Sequence, residues 1–319
     1  MILDAKPQNY NAAPAATAPI SLIVTGDLAG LRLDQAVASL LPEFSRNRIS
    51  RWIREGRIAI TGQTIQPKTR VYGGETIRVT PSAEPETLAA LPEEIALNVV
   101  YEDASILVLN KPAGLVVHPG SGNWHGTMLN ALLANLPRAG IVHRLDKETS
   151  GLLVVGKTLQ AQTSLTRQLQ ARTVKREYLA LVHGLVTRGG SIDAPVGRHP
   201  TQRTRVAVVE RGRPALTHYE VLQHCEGQAT LLRCRLETGR THQIRVHMLS
   251  LGHPLVGDPV YGKSRRSALA LLNVFTRQAL HAARLSLQHP DSGETMSWEA
   301  ALPADFAQLL DALGAAPTV

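Results

Sequence analysis

Apolar residues along the chain recur in two ways: short alternating or continuous runs bounded by Gly, Pro and Thr, and stripes at spacings of three and four. Ser21-Leu22-Ile23-Val24 predicts a strand. Asp34 is placed to cap a helix that runs to Leu41 and is stopped by Pro42, and Ser45 to cap a second helix ending near Gly56. On that second helix Ile49, Trp52 and Ile53 mark the apolar side, while Arg48, Arg51 and Arg54 recur at spacing three. Ile58–Ile60, Thr64-Ile65 and Thr76–Val79 predict short strands, the first pair joined by a Thr61-Gly62 turn. Beyond a Pro-, Glu- and Ala-rich stretch at 81–94, strands are expected at Leu97–Tyr101, Ile106–Leu109, Leu152–Val155, Val174–Val182, Leu216–His224 and Ala229–Thr238. Helices are expected from Thr127 to Leu136, after Thr158 with Ala161, Leu165 and Leu169 inward, and after a Thr241 cap with Ile244, Met248 and Leu251 buried.

The 319 residues suffice for two domains. The expected division is a disordered tail at 1–20, a small module at 21–81, a linker at 82–94 and a large domain at 95–319. Charge sharpens that division. The chain carries a formal +8, with nine basic and four acidic side chains in 31–80, four Glu and no base in 81–100, and 24 basic against 16 acidic in 101–319. Two basic blocks flanking an acidic linker point to a polyanionic partner, with nucleic acid first. Two cysteines without Cys-x-x-Cys spacing fit reduced thiols in a cytoplasmic protein, and Cys234, in phase with Leu232 and Leu236, reads as core. No run approaches the length of a membrane span.

The chemistry concentrates at Ile141–Gly151, Ile-Val-His-Arg-Leu-Asp-Lys-Glu-Thr-Ser-Gly, a polar loop directly ahead of the apolar Leu152–Val155 run. Asp146 offers a nucleophilic or basic carboxylate, or it caps a turn; Arg144, two residues earlier, offers a cation for phosphate or nucleotide. Tyr178 lies on a strand face with Ala180 and Val182, where packing alone would explain it. Arg245 stands beside a buried helical stripe and needs a carboxylate partner if it points inward. His242 and His247 lie five apart, off the i, i+4 spacing of a zinc pair, so no metal site is expected.

His143-Arg144-Leu145-Asp146 with Thr149-Ser150-Gly151 resembles the catalytic signature of the RluA/RluD family of RNA pseudouridine synthases. Asn110–Gly114, Lys175–Gly184, Gly239–His247 and Leu255–Gly262 resemble its other motifs in the right order, and residues 31–80 resemble an S4-type RNA-binding module. The resemblance implies an α+β pseudouridine synthase fold with a mostly antiparallel mixed central sheet flanked by helices and loops, plus the small N-terminal S4-like (α-L) domain. It implies isomerisation of uridines in 23S (large-subunit) rRNA by the RluD-type branch, with Asp146 as catalytic carboxylate, Arg245 as its ion-pair partner and Tyr178 stacking on uracil. RNA contacts are expected at Arg144, His143, Arg48, Arg51, Arg54, Arg198, Arg203 and Arg240. An isomerisation needs no cofactor or metal, and no phosphate-cradling Gly motif occurs. A monomer working on pre-ribosomal particles is the expected setting. Other rRNA or tRNA uridines, or rRNA binding by a non-catalytic assembly factor, are the competing readings.

Overall fold

The computed structural model describes residues 19–42, 44, 46–81, 91–120, 123–202, 205–262 and 265–315. The tail through residue 18, the Ser45 cap, the linker through residue 90 and Arg203 lie outside the described residues. The chain divides into two compact units, Met1–Thr87 and Leu88–Val319.

In the small unit, β1 (Ile20–Ile23), β2 (Ile58–Ile60) and β3 (Thr76–Val79) form an antiparallel sheet in the order β1-β3-β2, beside helices Leu33–Leu40 and Arg46–Arg54. Leu33, Ile49, Trp52, Ile58 and Ile77 fill the space between them. Two expectations fail here. Asp34 caps nothing: it lies inside the first helix, buried, and its carboxylate accepts hydrogen bonds from Arg32 Nε (3.0 Å), Arg46 Nε (3.1 Å) and Ser50 Oγ (3.2 Å). Burial opposes that charge, yet these donors hold the carboxyl below its ordinary range, so Asp34 is the polar tie between the two helices. Thr64-Ile65 forms no strand, because the backbone that follows closes a Gln66–Thr69 turn whose Thr69 carbonyl receives Leu33 N–H. Along the second helix Arg48 stacks on Phe44 and Trp52, 5.1 and 5.5 Å from their ring centres, while Arg54 is exposed.

The large unit is built on one ten-stranded sheet. Its strands are β4 (Val99–Glu102), β5 (Ile106–Lys111), β6 (Gly140–Ile141), β7 (Ser150–Gly156), β8 (Lys175–His183), β9 (Gly190–Asp193), β12 (Leu216–Cys225), β13 (Ala229–Leu236), β14 (Leu280–Gln288) and β15 (Thr295–Glu299). β10 (Val196–Arg198) and β11 (Val206–Val208) pair separately as a two-stranded ribbon. The main order is β4-β5-β7-β14-β8-β13-β12-β9, with β15 on β14 and β6 on β7, and every pairing is antiparallel except β7 with β14. Residues 185–215 thus hold three short strands, β9, β10 and β11.

Helix Met128–Asn135 starts at Thr127, whose side chain forms a reciprocal capping box with Asn130, and helix Leu159–Gln170 starts at Thr158, whose hydroxyl accepts Ala161 N–H at 3.1 Å. Ahead of the sheet, residues 91–95 already belong to this unit: Asn130 Nδ2 donates to Leu91 O (2.8 Å) and Glu93 accepts Gly126 N–H (3.0 Å). Cys234 is fully buried, and burial pushes its thiol up to about 12, so it packs and does not react. Among the described residues no helix is long and apolar enough to cross a membrane.

Candidate active site

Asp146 sits in the loop that leads into β7, and the sequence fastens that loop at both ends. Ahead of it, His143 Nε2 accepts Val154 N–H from β7 at 3.0 Å. Burial and the nearby Arg176 charge push this imidazole down to about 3, so it stays neutral and serves as an acceptor. His143 thus shapes the loop, and it also lines the cavity that Asp146 borders. After Asp146, the Lys147 carbonyl receives Gly114 N–H (2.9 Å) and Lys111 Nζ (2.9 Å), and Lys111 also donates to Pro112 O and Leu115 O. The Asn-Lys-Pro-Ala-Gly motif therefore places the buried Lys111 nitrogen on three carbonyls, and burial pushes that amine down to about 7. Arg277 donates to Glu148 O (3.2 Å) and, through Nε and Nη2, to both Asp305 oxygens, which ties the far side of the loop to the C-terminal helix Ala304–Ala312.

The closing Thr-Ser-Gly has a steric cause. Gly151 has φ +111°, and a Cβ there would lie 2.2 Å from Ala282 O of β14, so only glycine lets the parallel strands approach. Ser150 Oγ bonds His281 Nδ1 at 2.9 Å beside that crossing.

Opposite the loop, helix Gln243–Ser250 supplies Arg245. Thr241 does not cap this helix. His242 takes the cap position with left-handed backbone (φ 55°), and the Gln243 side chain secures the turn by accepting Arg240 N–H (2.9 Å) and the Thr238 hydroxyl (2.8 Å). Ile244 and Met248 are buried as expected, but Leu251 lies past the last turn and is 42% exposed. His247 is enclosed, with Nδ1 on Thr217 Oγ1 and Nε2 on Ala194 O, both at 2.9 Å.

The structure brings Asp146 and Arg245 together. Arg245 Nη1 donates to Asp146 Oδ2 at 3.0 Å. The other edge of the guanidinium holds Asp258, with Nε to Oδ2 at 2.7 Å and Nη2 to Oδ1 at 2.9 Å. Asp258 is a partner that the sequence reading missed; its carboxylate also accepts Val260 N–H (2.8 Å) and Tyr261 N–H (3.0 Å). Burial opposes its charge, and the hydrogen bonds and charge of Arg245 override that and hold the carboxyl low. A signal was present, since an acid set between Gly257 and Pro259 amid Leu255, Val256 and Val260 needs a cation to be tolerated. One guanidinium thus rests on a permanent structural carboxylate and offers its remaining nitrogen to Asp146.

A second line reaches Asp146 from the side. The Tyr261 ring lies 5.0 Å under the Arg245 guanidinium, and its hydroxyl accepts Val206 N–H at 3.1 Å. Its proton is then directed to His242 Nδ1, 2.9 Å away, which leaves His242 Nε2 carrying hydrogen toward Asp146 Oδ1 at 4.0 Å.

These groups surround a cavity of about 610 Å³. Tyr178 lines it from β8, only 6% exposed, and burial with the nearby Asp146 charge raises its phenol above the ordinary range while Arg176 opposes the rise. Arg144, Arg172, Arg213 and Arg240 line the cavity as well, Arg240 oriented by its Nε bond to Pro214 O (3.1 Å). Arg198 ends β10 exposed and does not line the cavity, and Arg48, Arg51 and Arg54 belong to the small unit. The arrangement is a cleft lined by the Asp146 and Glu237 carboxylates and the Tyr178 phenol, with a cationic rim.

His143 gives a test of this loop. Its folded value lies below the ordinary histidine range, so the unfolded chain binds the extra proton, and the stability it contributes is present above about pH 6.5 and lost as pH falls toward 3. His143→Gln, which keeps an acceptor for Val154 N–H, is expected to flatten the acid limb of the unfolding free energy by up to about 1.4 kcal/mol per pH unit. Parallel denaturation curves from pH 7 to 4 would contradict it.

Residues 31–77 match the profile of the S4 domain and residues 105–250 that of RNA pseudouridylate synthase. The chain is 53% identical to the ribosomal large subunit pseudouridine synthase D of Nitrosomonas europaea over 96% of this chain and 93% of that protein. It is 49% identical to the Escherichia coli protein of the same name over 93% of this chain and 94% of that one. Among solved structures, human RNA pseudouridylate synthase domain containing 1 aligns over 74% of this chain and 98% of its own at a TM-score of 0.54 and 27% identity. With this likeness spanning both units, and with the carboxylate, the arginine and the tyrosine gathered in one cleft, the chain belongs to the RNA pseudouridylate synthase family.

Proposed function

We propose that the protein converts specific uridines of large-subunit ribosomal RNA to pseudouridine, with Asp146 as the catalytic carboxylate, Arg245 as its ion-pair partner and Tyr178 stacked on the uracil. The observation that carries this reading is the 3.0 Å bond from a buried Arg245 to a carboxylate that borders a cavity of about 610 Å³. Uridine inside folded RNA is out of reach of such a cleft, so the nucleotide turns out of its stack to enter. There the C1′–N1 bond breaks, the ring rotates, and C5 joins C1′. The Asp146 carboxylate acts on the sugar while that bond breaks, as nucleophile at C1′ or as base for its neighbouring proton. Pairing with Arg245 favours the charged carboxylate that either role requires.

Arg144 and the rim cations Arg172, Arg213 and Arg240 supply phosphate contacts around the entrance, and the small unit adds Arg48, Arg51 and Arg54 on one helix. The names of the relatives, which are large-subunit synthases across nearly their full lengths, support the rRNA target. On this reading the enzyme works in the cytoplasm, as a monomer on pre-ribosomal particles. Its test is incubation of the purified protein with large-subunit rRNA and with tRNA transcripts, followed by nucleoside analysis. Pseudouridine in the rRNA alone is expected; pseudouridine only in tRNA, or in neither, would overturn the reading.

A further inference from the structure

The cavity holds a second buried arginine that the pairing of Asp146 does not use. Arg176 lies two residues before Tyr178 on β8, so the strand presents both side chains on one face, and both line the cavity with Asp146. Arg176 is 8% exposed. Arg245 rests on two carboxylates, whereas among the described residues no carboxylate or hydrogen-bond acceptor meets the Arg176 guanidinium, and its Nε is buried without a partner. An enclosed cation with no partner costs stability, so packing alone does not account for it. Room is nonetheless made for it: a Cβ on Gly239 would lie 2.7 Å from Arg176 Nη1, and Gly239 itself borders the cavity.

We propose that Arg176 is a further catalytic residue, whose guanidinium takes up the negative charge that the uracil ring carries while it is detached from the ribose. The inference rests on the reaction proposed above. When C1′–N1 breaks, the bonding pair leaves with the ring and spreads over N1, O2 and O4; the sugar carbon is taken by an Asp146 oxygen, or its neighbouring proton passes to that carboxylate. After rotation a pair from C5 of the anionic ring forms the C1′–C5 bond while C1′ releases the Asp146 oxygen, or while C2′ takes its proton back from that carboxyl. The ring is then neutral, and passage of the C5 proton to a base with protonation of N1 completes the product.

Uracil enters neutral and is anionic only between these two steps. A fixed cation that finds its partner only then binds the transition state more strongly than the substrate, which is the condition for lowering the barrier. Depth separates this role from phosphate binding. The exposed Arg144, Arg172 and Arg213 stand where an RNA backbone passes, while Arg176 is reached by a base inserted beside Tyr178. The Arg176 charge also opposes the rise that burial imposes on the Tyr178 phenol, which suits a group near the C5 proton.

The test uses the full-length protein and an rRNA transcript carrying uridine or 5-fluorouridine at the modified position, with loss of the N1-linked nucleoside as readout. Fluorine lets the ring bear negative charge more readily. Arg176→Met is expected to slow single-turnover detachment of uracil by about 10²–10³-fold with RNA affinity unchanged, and to slow 5-fluorouracil detachment about tenfold less. Equal losses on both substrates would make the residue structural. An unchanged rate at saturation with weaker, less salt-dependent RNA binding would make it a phosphate contact. Either result overturns the proposal. If Arg176→Met does not fold, Arg176→Gln gives the same ratio. An inactive wild-type enzyme would instead count against the proposed reaction, so the two failures are distinguishable.

Discussion

Asn in place of Asp146 is expected to lower the single-turnover rate by more than about 10⁴-fold while leaving the unfolding free energy within about 1 kcal/mol of wild type. The two parts of this expectation come from the same geometry. The substituted amide would keep the shape and one acceptor for Arg245 Nη1 but would lose the charge that either chemical role at the sugar demands. Arg245 would not be stranded, because Asp258 still holds its other edge at 2.7 and 2.9 Å. Nucleoside analysis after a single turnover, beside a denaturant titration, checks both. A folded Asp146→Asn protein that works at the wild-type rate would remove the carboxylate from the mechanism.

Arg245→Met is expected to be the most destabilising single change at the site, by about 3–5 kcal/mol, and to abolish activity as well. The loss comes mainly from Asp258, whose side chain is 0% exposed and would face the interior with two backbone N–H groups but no cation. Coupling makes the claim specific: in Arg245→Met/Asp258→Asn the combined loss should fall well short of the sum of the single losses. The pH dependence has a definite sign. In the wild type Asp258 lies below its unfolded value, so its contribution is present above about pH 3.9 and is lost as pH falls through the folded value. Without Arg245, burial, which raises the group, is opposed by the two backbone N–H groups and no cation, and the expected net rise means its contribution is lost as pH rises. The gap between variant and wild type should therefore narrow from pH 7 toward pH 4. A constant gap, or additive losses, would show that Arg245 does not carry the Asp258 charge.

Most of the frame was readable because its signals are local. Thr127 and Thr158 announced their helices as capping residues ahead of apolar stripes, and the continuous Leu152–Val155 run read as an enclosed strand because it is covered on both faces. Asp34 and Thr241 show the limit. Both are good capping residues by type, but Arg32 and, from the second helix, Arg46 and Ser50 claim Asp34, and the Gln243 side chain organises the turn in place of Thr241. Donors 12 and 16 positions away decided the first outcome, and a side chain two positions on decided the second. The pairing of Arg245 with Asp146 spans 99 positions and was available only through resemblance. Asp258 and Arg176 had weaker local signals, an acid in apolar surroundings and an arginine in phase with Tyr178. The bond from Val154 N–H that makes His143 a neutral acceptor in the loop had no signal in its residue type.

The most direct test of Asp146 as the catalytic carboxylate is pseudouridine mapping by chemical marking and reverse-transcription stops. It should be run on total rRNA and tRNA from cells with the wild-type protein, without it, and with Asp146→Asn. The same large-subunit marks are expected to vanish in both altered strains, and the tRNA marks to stay. Retention of every large-subunit mark in the Asp146→Asn strain would contradict that role.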